Sequence, residues 1–325
     1  MILAGDIGGT SARLGFFETD GGRPRPVLEK NYPSRKYSGL EEIATQFVTE
    51  HPAEIDRVCF GIAGPVQGGR VTTPNLPWVV DAQNLARSLR LPGVTLINDL
   101  EANAYGIATL EPEDLVTLNH GAPGAQGNRA VIAVGTGLGQ AGLFWDGRLH
   151  QPFACEGGHA DFAPRTPVEA DLLAHLLTRY EHVSVERVLS GPGLRVIYEF
   201  LRDSQRGEEP AWLREELAQG DVSAGISRIA GEGRSELCAD ALDLFVSLYG
   251  AEAGNLGLKL MATGGVYVSG GVAPKILNRL QSPLFMAAFS SKGRMRPLLE
   301  SMPVQVIMKE TAGLFGAARH AMLAD

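Results

Sequence analysis

Residues 3–17 read LAGDIGGTSARLGFF, an apolar run broken by an aspartate, two adjacent glycines and a threonine. The plain reading is a hairpin in which Ile2–Ile7 is one strand, Ser11–Phe17 its antiparallel partner and Gly8-Gly9 the turn. Adjacent glycines suit such a turn because they accept positive φ without a Cβ clash. That reading leaves Asp6 and Thr10 without a reason. A second reading turns the loop toward a phosphate, with glycine amides directed at anionic oxygens and Asp6 beside a metal ion. The stretch by itself leaves both open.

A similar unit returns at residues 130–145, AVIAVGTGLGQAGLFW. Set under residues 2–17, it places Gly9 opposite Gly137, Gly15 opposite Leu143 and Phe16 opposite Phe144. The repeat predicts two related domains, each offering a glycine turn to a shared cleft. Around it, helical spacing over residues 41–51 and 84–91 alternates with β-rich runs at 56–66 and 93–99. Such alternation predicts a sheet with parallel strands covered by helices. Farther on, Thr166-Pro167-Val168-Glu169 has the form of a capped helix start with proline at its first position. Residues 234–262 predict a long apolar helix central to the larger domain, and 264–280 a strand, a glycine turn and a helix. Residues 304–309 predict a last strand and 312–323 a closing helix.

The 325 residues suffice for two domains at about 100–200 residues each. A net charge of −8 without a basic cluster argues against nucleic acid as the partner. No apolar run reaches the roughly 18–20 residues that span a bilayer, and no signal-peptide pattern opens the chain. Cys59, Cys155 and Cys238 are scattered, which suggests reduced thiols and a cytoplasmic location. There is no GxxxxGK[ST], and GTGLGQ at 135–140 falls one position short of GxGxxG and enters a strand. A P-loop protein and a dinucleotide-binding dehydrogenase are therefore poor fits.

Three glycine turns remain, at Gly8-Gly9, Gly135–Gly139 and Gly270-Gly271, the last followed by a helix expected to start near Pro274. Backbone freed of side chains approaches polyphosphate closely, and a helix start adds a positive dipole end. In LINDLEANA, 96–104, Asn98 and Asp99 stand where a strand ends and a helix begins. Asn98 has the form of a helix N-cap. An aspartate at the carboxyl end of a strand in an open α/β sheet is also placed to take a hydroxyl proton during phosphoryl transfer. EGGHADFAP, 156–164, joins Glu156 and His159 around two glycines. Glu-x-x-His could be half a metal site, but no second ligand cluster accompanies it. Sugar hydroxyls would use the same carboxylate as acceptor and the imidazole as donor and acceptor. Glu186 offers a further carboxylate, for which an exposed helix charge is the ordinary reading, before a Gly-Pro-Gly turn at 191–193. Asn75 stands in the proline-rich TPNLPW loop, 73–78.

Together GDIGGTSARL, LIND, VGTGLG, EGGHADFAP, VERVLSGPG and VSGGVAP resemble the bacterial glucokinase family, of the hexokinase and actin-like sugar kinase superfamily, in order and rough spacing. The motifs run from residue 5 to residue 274. The related ROK (repressor–kinase) group carries a cysteine-rich zinc motif that is missing here. Ser11 stands where the family usually has asparagine. The resemblance implies a two-domain actin-like (ribonuclease H-like) α/β fold with an interdomain active-site cleft: a small domain of 1–109 plus 301–325 and a large one of 110–300. It implies ATP-dependent transfer of a phosphoryl group to the 6-hydroxyl of glucose, giving glucose 6-phosphate, with Asp99 as catalytic base. Asn75, Asn98, Asp99, Glu156, His159 and Glu186 are the implied sugar-binding residues. Gly8, Gly9 and Thr10 form the implied first phosphate loop, Gly135, Thr136 and Gly137 the second, and Gly270 and Gly271 part of the adenosine site. Asp6 is the implied residue near Mg²⁺, and a homodimer the implied assembly. A kinase for another hexose and a non-catalytic sugar-sensing regulator are the alternatives.

Overall fold

In a computed structural model of the chain, which describes residues 1–74 and 76–323, the opening stretch folds as a hairpin. Strand β1 (Ile2–Ile7) pairs antiparallel with β2 (Ser11–Asp20) from Ile2/Phe17 to Ile7/Ala12. Strands β3 (Arg23–Pro33), β4 (Arg57–Ile62), β5 (Arg70–Thr72), β6 (Val79–Asp81) and β7 (Thr95–Asn98) follow. A five-stranded sheet runs in the order β3-β2-β1-β4-β7, and β5 and β6 form a separate two-stranded ribbon. Strands β1, β4 and β7 are mutually parallel and mostly apolar, with their polar residues Asp6, Arg57, Thr95 and Asn98 at or next to the strand ends. Leu3, Ile7, Leu14 and Phe60 pack with Leu40, Ile43 and Phe47 of the helix Leu40–Glu50. The alternate residues Ile2, Ala4 and Cys59 pack with Leu314, Ala317 and Ala318 of the C-terminal helix Ala312–Leu323. The period-2 alternation of side chains thus gives the sheet two helical covers.

The second sheet contains β8 (Leu115–Asn119), β9 (Arg129–Val134), β10 (Leu138–Trp145), β11 (His150–Cys155), β12 (Gly265–Ser269) and β13 (Val304–Ile307). Its order is β11-β10-β9-β12-β13-β8, with β9, β12 and β13 parallel. The long helix Glu236–Leu260, capped by Ser235, packs its Phe245, Tyr249 and Leu256 into the core beneath β9 and β12. Its Gly250 lies where a Cβ would stand 2.1 Å from the carbonyl oxygen of Phe285, so the helix Pro283–Ser290 packs backbone to backbone against it.

The chain divides into one unit of Met1–Leu115, Pro152–Ala154 and Lys309–Asp325 and a second of Val116–Gln151 and Cys155–Met308. The return to the first unit therefore begins at Lys309 and not at residue 301. The reason is pairing: Val304–Val306 of β13 lie in register with Val266–Val268 of β12.

Three further expectations change. The segment after Gly271 is a 3₁₀ turn, Ala273–Ile276, followed by a four-residue helix, Leu277–Leu280, so no long helix dipole starts at Pro274. Gly191-Pro192-Gly193 is no free turn but the start of the helix Gly191–Asp203, whose cap Ser190 accepts from Gly193 N–H at 3.0 Å. The two hairpins are also not in simple register. Four residues, 8–11, separate the ladder pair Ile7/Ala12, whereas three, 135–137, separate Val134/Leu138. Phe16, paired with Leu3 inside its ladder, is buried at 3% exposure, while Phe144, one residue past the last pair Leu143/Arg129, is 55% exposed.

Candidate active site

In the first unit the parallel register decides which residues meet. Ile7 pairs with Ile62, and Ile62 with Asn98, so β1, β4 and β7 end at one level. The Gly8–Thr10 turn and the Asn98-Asp99 pair therefore share one carboxyl edge of the sheet, where open α/β sheets bind ligands. The turn is pinned from behind: buried Ser34 donates its hydroxyl to Gly8 O at 2.8 Å and its N–H to Thr10 O at 3.1 Å. Gly8 N–H closes the loop on Ser11 O at 2.9 Å, and the Thr10 side chain is exposed. Gly8 does not adopt the positive φ that the hairpin reading expected, and a Cβ there would meet only Ser11 O, at 3.3 Å. The fold makes little demand for glycine at this position.

Asn98 is the N-cap of the helix Asp99–Gly106, accepting from Leu100 N–H at 2.9 Å and Glu101 N–H at 3.4 Å. Its amide donates to Gly64 O at 3.1 Å. Both ends of that side chain hold the edge together. Asp99 is the first residue of the helix, half-buried, with its Oδ1 accepting from Leu100 N–H at 3.0 Å. Its carboxylate stands against the positive end of an eight-residue helix. Asn103, one turn on, donates to the Asp99 carbonyl at 3.1 Å.

Asp6 lies on β1 one residue before the edge, on the face covered by the C-terminal helix. A Cβ on Gly313 would stand 2.9 Å from Asp6 Oδ2, so only glycine admits the carboxylate there. Burial pushes the Asp6 carboxyl up to about 6, against a smaller downward pull from Arg13. Arg13 faces Asp6 across the ladder, but its guanidinium is turned to Glu310, with Nη2 2.8 Å from Oε2. A desolvated carboxylate with its nearest cation engaged elsewhere suits a metal ion, which favours the ionised form. Among the described residues no group of three or more His, Cys, Asp or Glu side chains could hold a metal alone. Asp6 therefore fits Mg²⁺ as one ligand among phosphate oxygens and waters.

The second unit builds a comparable edge. Ser269 pairs with Ala133, which brings the end of β12 beside the end of β9. Gly270 has φ +89°, and a Cβ there would stand 2.3 Å from Val134 O, so the two turns are in backbone contact. Gly135 N–H closes its turn on Gly137 O at 2.9 Å, and the Thr136 side chain is exposed. Around Gly135 and Gly271 the ideal Cβ positions meet nothing within 4 Å. In both units, then, the turn's first amide is used internally, and any anion must be met by later amides or by Thr10 and Thr136.

Glu186 departs from the exposed helix charge of its ordinary reading. It lies half-buried in the 3₁₀ turn Val185–Arg187, and its Oε2 accepts from Leu138 N–H at 2.8 Å. A Cβ at position 137 would stand 2.5 Å from Glu186 Oε2, so a side chain there would displace this carboxylate. Glu156 precedes the 3₁₀ turn Gly157–His159 and His159 ends it, with His159 Nε2 3.9 Å from Glu156 Oε2 and both side chains well exposed. Gly158 lies against Leu138, where a Cβ would stand 2.0 Å from the carbonyl oxygen. Leu138 thus seats Glu186 with its N–H and the Glu156–His159 turn with its carbonyl. Asn75 lies outside the described residues.

The sequence model of the family described as Glucokinase matches residues 3–324. The chain belongs to the glucokinase family. It is 42% identical over 334 residues to a glucokinase of Nostoc sp. (strain PCC 7120), an alignment covering 98% of each chain. A crystal structure of glucokinase from an Antarctic psychrotroph superposes with a TM-score of 0.84 at 29% identity, covering 99% of each chain. A ROK family glucokinase from Streptomyces griseus, solved in complex with glucose and AMPPNP, has a TM-score of 0.68 at 21% identity over 99% of each chain, which shows a shared fold. The α/β build of both units is therefore that of the sugar kinases.

Asp99 of LIND and Glu156 of EGGH both stand directly after a strand, β7 and β11. Gln140 was not singled out. It is 1% exposed on β10 and joined to Glu252, and its only sequence signal is a polar residue inside a strand's apolar run.

Proposed function

We propose that this chain transfers the γ-phosphoryl group of ATP to the 6-hydroxyl of glucose, giving glucose 6-phosphate and ADP. The observation that carries this reading is the common ending of β1, β4 and β7, which brings the Gly8–Thr10 turn and Asp99 to one sheet edge in a glucokinase-family chain. Asp99 takes the proton of the 6-hydroxyl as its oxygen forms the new bond to phosphorus. The bond from phosphorus to the bridging oxygen breaks, and ADP leaves with that oxygen. Glu156, His159 and Glu186 hydrogen-bond the other sugar hydroxyls. Asn98 serves first as the helix cap, and its second amide hydrogen suits it to a sugar oxygen. Asn75 belongs to the same set by resemblance. Gly8, Gly9 and Thr10, with Gly135, Thr136 and Gly137, let backbone approach the phosphates, while Gly270 and Gly271 border the nucleoside. Asp6 would hold Mg²⁺ carried by the nucleotide, and the ion would supply positive charge against the phosphate oxygens. A homodimer and a cytoplasmic location belong to the same reading.

A coupled assay over a panel of hexoses, with ATP and polyphosphate as donors, tests it. ATP- and Mg²⁺-dependent formation of glucose 6-phosphate is the expected result. Faster turnover of another hexose would move the substrate. Hexose binding without turnover would make the chain a sensor.

A further inference from the structure

Buried polar side chains of the second unit converge on the strand segment that seats Glu186 and the Glu156–His159 turn. Gln140 is 1% exposed and Glu252, inside the helix Glu236–Leu260, is 5% exposed. Gln140 Nε2 donates to Glu252 Oε1 at 2.8 Å. Glu252 Oε2 accepts from Asn255 Nδ2 at 2.9 Å, and Asn255 Oδ1 accepts from Lys292 Nζ at 2.5 Å. The carboxylate fixes which way the Gln140 amide points. With Nε2 on Glu252, Oε1 is directed at Gly157, where a Cβ would stand 2.0 Å from it. The main chain of Gln140 takes the other side, its carbonyl accepting from Cys155 Sγ at 3.4 Å. One residue therefore grips the positions immediately before and after Glu156. Two residues earlier on the same strand, Leu138 N–H holds Glu186 at 2.8 Å.

An apolar side chain would fill the space at residue 140 without a buried carboxylate to satisfy, so packing alone gives no reason for this pair. We propose that Gln140, locked by Glu252, is a positioning residue for sugar recognition. It sets the placement of the Glu156–His159 turn relative to Glu186. The inference rests on the proposed function, which assigns those side chains to one hexose. Gln140 does not touch the sugar; it acts through the loop. Its loss is read in the sugar's Michaelis constant and not in the nucleotide's.

The test pairs two variants with thermal melting. Gln140→Met keeps the volume and removes the amide, leaving Glu252 short of a donor. The double variant Gln140→Met/Glu252→Met removes the stranded carboxylate as well. Gln140→Met is expected to melt lower and to raise KM for glucose about tenfold, the scale on which small misplacements act, with KM for ATP unchanged. The double variant is expected to recover melting temperature while KM for glucose stays high. Recovery of KM together with melting temperature would overturn the inference, because the pair would then serve stability alone. An unchanged KM in Gln140→Met would overturn it too. A wild-type protein that phosphorylates no hexose would instead bring down the proposed function, and this inference with it.

Discussion

In the first unit the carboxylate nearest the glycine turn sits on the strand itself. Asp6 is one residue from the end of β1, packed against Gly313 of the C-terminal helix and raised to about 6 by burial. In the second unit the corresponding ladder position, one residue from the end of β9, is Ala133, and the carboxylate arrives from 48 residues beyond the turn as Glu186 on Leu138 N–H. The glycines differ likewise. Gly270 is demanded by the backbone, 2.3 Å from Val134 O at φ +89°, and a Cβ at Gly137 would displace the Glu186 carboxylate 2.5 Å away, whereas Gly8 meets one neighbour at 3.3 Å without positive φ. Two hairpins of one design thus serve different ends. The first leaves backbone accessible beside a carboxylate short of positive charge. The second keeps its glycines against its own atoms, Gly137 against the Glu186 carboxylate and Gly270 against Val134 O. A glycine the fold does not need is the better pointer to a ligand.

The sharpest way to break this comparison is Asp99→Asn, because the first unit should carry the chemistry and the second the recognition. Turnover should fall about 10²–10⁴-fold, with glucose binding and melting temperature largely kept, since the cap is Asn98. Near-normal kcat in the folded variant would remove Asp99 from its role. Glu186→Gln, by contrast, should chiefly raise KM for glucose in steady-state kinetics.

Substituting one glycine in each unit compares the turns directly. Gly270→Ala must place a Cβ 2.3 Å from Val134 O at φ +89°, and is expected to cost roughly 1–3 kcal/mol of stability in denaturant unfolding. Gly8→Ala should melt close to the parent yet lose about tenfold in affinity for an ATP analogue by calorimetry, because the added methyl group would hold phosphate away from the backbone of the turn. Unchanged nucleotide affinity in Gly8→Ala would return that turn to a plain hairpin.

A further expected effect concerns Asp6 and pH. Its carboxyl titrates at about 6 in the folded protein, against about 3.9 in an unfolded chain. Between those values the native state holds more protons than the unfolded one, so stability falls as pH rises from about 4 to 6. The penalty is absent below that window and full above it. Asp6→Asn should flatten this slope and raise the stability of the nucleotide-free protein at neutral pH by on the order of 3 kcal/mol. Chemical denaturation at pH values across the window checks it, and an unaltered slope would assign the dependence elsewhere.

Much of this was legible along the chain. The helices Leu40–Glu50, Ala82–Leu89 and Glu236–Leu260 lie where apolar spacing predicts them, and Asn98 caps the helix that follows it. Those features depend on residues within a turn or two of one another. Phe144 shows where such reasoning stops. It matches Phe16 in a straight alignment yet is exposed, because it lies one residue past the last ladder pair, Leu143/Arg129, whereas Phe16 is paired with Leu3.

By itself, the sequence determined the hairpins, the caps, the order of motifs and, through them, the family, because backbone preference and side-chain periodicity act locally. Tertiary structure alone decided that Ile7, Ile62 and Asn98 end at one level, and that β13 belongs with β12. It also decided the proton affinity of Asp6, the seat of Glu186 and the lock of Gln140 on Glu252, 112 residues away. Desolvation and hydrogen-bond partnership depend on which atoms surround a group after folding, and those atoms come from segments far apart in the chain.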